Sequence, residues 1–128
     1  MIKYLVDTNF ILRFLLRDIP SQTRFSRLYL QKAKDGEIGI YLSVILFVEL
    51  DFAFRKFYKM TKESAVEKMK LIAEVPYLEI EKREIIYKAL EAYEKNNIDF
   101  VDLIFYFEAQ SSGRALLTFD KKLKKLSS

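Results

Sequence analysis

The chain has 128 residues, half of them apolar and just under a third charged, which fits one soluble domain with its own core and excludes a disordered chain. It contains neither Cys nor His, which excludes disulfides, a Cys or His zinc site, a Cys nucleophile and a His general base. The formal charge of +4 is modestly basic and compatible with a polyanionic partner.

Residues 4–6 read as the end of a short buried strand, stopped by Asp7-Thr8-Asn9. Phe10, Ile11, Phe14 and Leu15 then recur at helical spacing. Pro20 breaks the pattern, Ser21 suits the cap of a second helix, and Asp35-Gly36 is a helix-stop signal. Residues 38–42 form a second strand. A helix from Ser43 to about Tyr58 is apolar nearly all round its first half, so it is expected to be mostly buried, with Glu49 in its middle.

Thr61-Lys62-Glu63-Ser64 opens an amphipathic helix on Val66, Met69 and Ile72, and Pro76 precedes a third strand over residues 77–80. A helix follows from about Lys82 to Lys95. Another is capped by Asp99, runs through Phe107 and ends at Gly113. Residues 115–119 form a fourth strand, followed by Asp120 and a basic tail.

Strands alternating with helices predict an α/β fold with a parallel sheet, in an order such as 3-2-1-4. No linker or repeat divides the chain, so 1–128 is expected to be a single domain. Asp7 and Arg13 interrupt the N-terminal apolar stretch, so no secretory signal is expected. The apolar runs 44–48 and 103–107 are far too short to span a bilayer. A cytoplasmic protein is the expectation.

Four acids occupy positions where solvation alone explains them poorly. Asp7 and Asp120 each follow a strand, and with strand four beside strand one they would emerge together at one sheet edge, where α/β sheets bind ligands. Glu49 and Asp102 lie among apolar neighbours on helices, where an unpaired carboxylate is costly. Each also has a plain structural reading. Asp7 and Asp120 suit helix caps, Asp102 echoes a capping box with Asp99, and Glu49 suits a buried ion pair or an exposed strip. Carboxylates that face one another need a cation to stay ionised. Oxygen donors without His or Cys favour Mg²⁺ or Mn²⁺, and such a site suits phosphodiester hydrolysis.

Leu5-Val6-Asp7-Thr8-Asn9-Phe10-Ile11-Leu12-Arg13-Phe14, with Arg17-Asp18-Ile19-Pro20-Ser21-Gln22 after it, resembles the opening of the PIN-domain nucleases, specifically VapC-type toxins of toxin–antitoxin pairs. Ser43-Val44-Ile45-Leu46-Phe47-Val48-Glu49-Leu50, Asp99-Phe100-Val101-Asp102-Leu103-Ile104 and Leu116-Leu117-Thr118-Phe119-Asp120-Lys121 are similar to the segments bearing the family's other acids. The resemblance implies a three-layer domain with a parallel sheet of four strands, or five if one follows the fourth acid. It also implies a Mg²⁺- or Mn²⁺-dependent endoribonuclease, usually a homodimer, held inactive by a cognate VapB-type antitoxin. On that reading Asp7, Glu49, Asp102 and Asp120 are the catalytic and metal-binding quartet. Thr8, Asn9 and Thr118 support it, and Asp99 is a cap or an auxiliary acid.

Arg13, Arg17, Arg114 and the tail lysines beginning at Lys121 are the candidate phosphate contacts on the RNA. Competing readings are a PIN nuclease of RNA maturation without an antitoxin, a non-catalytic binding module, and a Mg²⁺-dependent phosphatase. The last would want Asp where Asn9 stands.

Overall fold

The computed structural model describes residues 1–127. In chain order it contains strand β1 (Ile2–Leu5), helices α1 (Thr8–Leu16) and α2 (Pro20–Lys34), strand β2 (Ile38–Leu42), helix α3 (Val44–Phe52) and a π-helical turn (Ala53–Phe57). Helix α4 (Lys62–Ala73), strand β3 (Glu79–Ile80) and helices α5 (Arg83–Lys95), α6 (Phe100–Ser111) and α7 (Lys121–Ser127) follow. The three strands are parallel in the order β1-β2-β3, with Leu5 opposite Tyr41 and Leu42 opposite Ile80. This is an α/β fold with a parallel sheet flanked by helices.

Local chemistry sets the helix ends. Asp7 caps α1, its Oδ1 accepting from the Phe10 N–H at 3.1 Å. Thr61 accepts from the Ser64 N–H at 3.2 Å and opens α4. Helix α3 starts on two acceptors. Ser43 Oγ takes the Leu46 N–H at 3.4 Å, and the Glu81 carboxylate takes the Val44 N–H at 2.9 Å. Because Glu81 directly follows β3, this bond ties the start of α3 to the carboxyl end of the sheet. Gly36, at φ +78°, closes α2 in the left-handed conformation that glycine adopts without strain. Helix α2 begins at Pro20 and not behind a Ser21 cap, since proline at the first helical position forgoes an N–H that would have no partner there.

Ile11, Ile40, Leu42, Phe47, Leu50, Phe54, Phe100 and Leu103 are fully buried and form the centre of the core. Helices α5 and α6 pack on each other, as do α1 on α2 and α3 on α6. Arg83 clamps the approach to β3, donating to the carbonyls of Ala73 at 2.6 Å, Val75 at 2.9 Å and Leu78. Among the described residues, no helix is long and apolar enough to cross a membrane.

Three expectations are corrected. Among the described residues, 115–119 pair with no strand. The Thr118 hydroxyl accepts the Asp120 N–H at 3.0 Å, a local bond that competes with a ladder and turns the chain into α7. Leu117 and Phe119 are consequently 96% and 99% exposed. Among the described residues strand β1 therefore pairs with β2 alone, and with its other edge open Leu5 is 71% exposed instead of buried. Helix α3 buries one face, through Leu46, Phe47 and Leu50, while Ile45, Glu49 and Phe52 are exposed.

Candidate active site

The strand register brings the carboxyl ends of β1 and β2 together, and the Val6 N–H extends the ladder to the Tyr41 carbonyl at 3.4 Å. Asp7 lies at this edge. Helix α3, which starts from the same edge, carries Glu49 toward it. Thr8, the first residue of α1, donates its hydroxyl to Glu49 Oε1 at 2.5 Å, a short bond of the kind expected with a charged acceptor. Asp7, Thr8, Asn9, Glu49 and Phe52 line one cleft of about 590 Å³. Since Asp7 Oδ1 is engaged by the α1 cap, Oδ2 is the atom left for the cleft. Among the described residues, no side-chain hydrogen bond holds the Asn9 amide.

A second acidic group forms around the start of α6. Asp102 is half-buried, and its carboxyl is pushed above the ordinary carboxylate range by that burial and then by the charges of Asp99 and Asp120. Asp99 holds the N-cap position of α6 but makes no capping bond with its side chain. Asp120 caps α7, its Oδ1 accepting the Leu123 N–H at 3.0 Å, while Thr118 holds the Asp120 backbone N–H. Lys122 ties this corner to the loop before α6 through the Asn97 carbonyl at 2.9 Å.

The four acids thus stand in two groups, Asp7 with Glu49 and Asp102 with Asp120, instead of at one sheet edge. Among the described residues, no set of three or more acids has the spacing to hold one metal ion directly. Among the described residues, the fourth strand that was to have delivered Asp120 beside Asp7 is not formed. Glu49 is also corrected, being an exposed carboxylate held by Thr8 and not a buried one.

One acid near the second group was missed by sequence reasoning. Asp51, two positions after Glu49, is pushed up by burial, with the nearby Asp99 charge adding to the effect. Its Oδ1 is buried without a hydrogen-bond partner. Tyr93 hydrogen-bonds to the Asp51 carboxylate and receives Arg55 Nη1 at 3.0 Å, and its hydroxyl is pushed up to about 12, chiefly by burial. A polar residue within an apolar helix was the signal available for Asp51, and Glu49 carries that same signal. Glu81 was also missed, because its role at the start of α3 depends on a strand–helix contact.

Of the candidate phosphate contacts, Arg13 is committed elsewhere. Its Nη1 lies 3.0 and 2.9 Å from the two Asp18 oxygens, and its Nη2 donates to the Tyr58 hydroxyl at 3.0 Å. Arg17, Arg114 and Lys121 are exposed, and among the described residues none of them forms an ion pair.

Comparison with curated proteins gave no match, and comparison with solved structures gave none. A family model, the PIN domain, matches residues 4–128. Members of that family are generally nucleases, which agrees with the Asp7–Glu49 pair lining one cleft. With almost the whole length matched, the chain belongs to the PIN-domain family.

Proposed function

We propose that residues 1–128 form one PIN domain that works as a metal-dependent endoribonuclease, the toxin of a VapBC-type pair. Its substrate is RNA in the cytoplasm, and its partners are a VapB-type antitoxin and a second copy of the chain. The observation that carries the nuclease reading is the Asp7–Thr8–Glu49 corner. There a carboxylate at a strand end and a second one oriented by a hydroxyl line the same cleft. Mg²⁺ is commonly held by one or two carboxylates, with water and substrate phosphate completing its shell. Asp7 and Glu49 supply that minimum with oxygen donors alone, so the residues present fit Mg²⁺ or Mn²⁺. When bound, the ion supplies polarisation of a phosphoryl oxygen and a readied water.

The chain's own residues do the positioning. Thr8 holds Glu49 through its hydroxyl, and the α1 cap holds Asp7 through Oδ1, leaving Oδ2 free of that bond. Thr118 orients Asp120 through its backbone, and Asp102 completes the second group, with Asp99 an auxiliary acid beside it. Arg17, Arg114 and Lys121 hold phosphates of the flanking strand, contacts that carry no sequence information. The motif resemblance supports the toxin assignment. So does an exposed aromatic surface of the kind that takes a partner segment. Phe25, 55% exposed, packs against Tyr29 at 4.7 Å and Phe10 at 6.4 Å between ring centres.

The separation of the acids into two groups favours a second reading, a non-catalytic PIN module. One experiment decides between them. Purified protein is incubated with a structured RNA pool in Mg²⁺, in Mn²⁺ and in EDTA, beside Asp7→Asn and Glu49→Gln. Metal-dependent cuts that vanish in both variants establish the nuclease. Folded protein that is inert under every condition favours the module, or a nuclease whose RNA target is absent from the pool. Growth arrest on expression, relieved by the product of an adjacent gene, tests the toxin assignment.

A further inference from the structure

We propose that Phe52 is a stacking platform for the nucleobase next to the scissile phosphodiester, so that the cleft receives a nucleotide of single-stranded RNA and not a bare phosphate. This rests on the nuclease reading above. Phe52 follows Glu49 by three positions on α3, which puts the two side chains on one helical face with Cβ atoms about 5–6 Å apart. It lines the same cleft as Asp7, Thr8 and Glu49. A base lies one sugar away from its phosphate, and this spacing lets a strand place both at once.

Scattered exposed apolar side chains are ordinary and need no explanation. Phe52 differs from the other exposed rings in lining the cleft of Asp7 and Glu49; Phe105, 58% exposed on α6 and likewise without an aromatic partner among the described residues, lines a different cavity. Phe52 is 66% exposed, and among the described residues its ring has no aromatic partner. Phe25 and Phe57 are also exposed, yet each packs against a neighbouring tyrosine. Phe119 has no partner ring, but it sits on an irregular segment, whereas Phe52 is carried by a helix anchored in the core through Phe47 and Leu50. Rigid support is what a positioning surface needs. Across the cleft Asn9 offers an amide with free donors and a free acceptor, groups that suit the edge of a stacked base. Stacking tolerates any base, so the platform sets register on the strand and Asn9 adds a modest preference.

The other occupant of such a face is a second copy of the chain, covering Ile45 and Phe52 together. The test separates them. Wild type, Phe52→Ala and Phe52→Trp are compared on single-stranded RNA oligonucleotides in Mg²⁺, intact or carrying one abasic position beside the cleaved bond. Stacking of one base predicts a KM raised about 5- to 150-fold in Phe52→Ala, with kcat little changed and Phe52→Trp near wild type. An abasic site at one flanking position costs wild type a similar factor and costs Phe52→Ala nothing more. In binding alone, measured on an Asp7→Asn background, 2-aminopurine at that position is quenched when Phe52 is intact or replaced in Phe52→Trp, and is not quenched in Phe52→Ala. Phe52→Ala with wild-type KM overturns the inference, as do losses from the abasic site and the variant that simply multiply. A drop from dimer to monomer in Phe52→Ala also overturns it and assigns the face to a second copy. Wild type that cleaves no RNA with any divalent ion removes the nuclease reading itself, and the platform with it.

Discussion

Replacing Thr8 with Val removes the hydroxyl that donates to Glu49 and changes little else, since the two side chains have one shape and similar helix propensities. The bond is 2.5 Å long and its acceptor is a carboxylate on an exposed stretch of α3. In the variant water takes over the carboxylate, so the fold loses under about 1 kcal/mol. Orientation has no such replacement. A hydrogen bond to a charged group is worth about 1.5–3 kcal/mol, and if that much holds Glu49 in its working position, kcat/KM falls about 10- to 150-fold. Thr8→Ser keeps the donor and should recover most of the activity. The assay is initial-rate cleavage of an RNA shown to be a substrate, with thermal unfolding alongside. A Thr8→Val protein within twofold of wild type refutes the reasoning. So does a fall in melting temperature of about 5 °C or more, which would make Thr8 a structural residue.

The remaining outcomes concern the groups around this corner. Asp51→Asn keeps an acceptor for Tyr93 while removing a buried charge, and should be more stable than wild type at neutral pH. The sign follows from linkage. A carboxyl raised above its ordinary 3.8 binds more protons folded than unfolded, so its contribution falls as pH rises through the gap, and the variant's advantage should vanish near pH 4 in denaturant titrations. Asp7→Ala loses the α1 cap and about 1 kcal/mol, whereas Asp7→Asn keeps the cap, and neither cleaves RNA; calorimetry beside an activity assay separates the two effects. Arg83→Met removes a donor from three carbonyls, of which Val75 keeps the Leu78 N–H, and should cost about 2–4 kcal/mol in urea unfolding, with activity per folded molecule unchanged.

Elements whose ends are written in local chemistry were legible. Thr61 with Ser64, and Asp35 with Gly36, mark helix ends through bonds and dihedrals that involve a few adjacent residues. The strands over residues 4–6 and 38–42 and the apolar spacing of α5 were legible for the same reason. What depends on contacts between distant residues was not. Helix α3 is apolar nearly all round, so its pattern cannot say which face is covered, and Ile45 and Phe52 proved to be on the open one. The 115–119 segment has the composition of a strand, but pairing needs a free edge within reach and backbone donors to spare. Its neighbour Asp120 spends its N–H on Thr118. Lys82 takes a left-handed conformation that its residue type does not advertise, and it is held by an ion pair with Glu108 at 2.7 Å.

At the candidate site the plain and the chemical readings of the acids turned out to be compatible. Asp7 and Asp120 each cap a helix with one oxygen, which uses Oδ1 and leaves Oδ2. A cap fixes the carboxylate's position and rotamer, which is what a ligand or general-base role also requires, so on the proposed function the structural bond would preorganise the chemical one. Glu49 reaches the same state by another route, through the Thr8 hydroxyl. Asp102 differs. Its place in the first turn of α6 favours a negative charge, while burial and two neighbouring carboxylates oppose one. A bound cation would relieve that opposition, so on the proposed function Asp102 acts through the second acidic group and not through the cleft of Asp7 and Glu49.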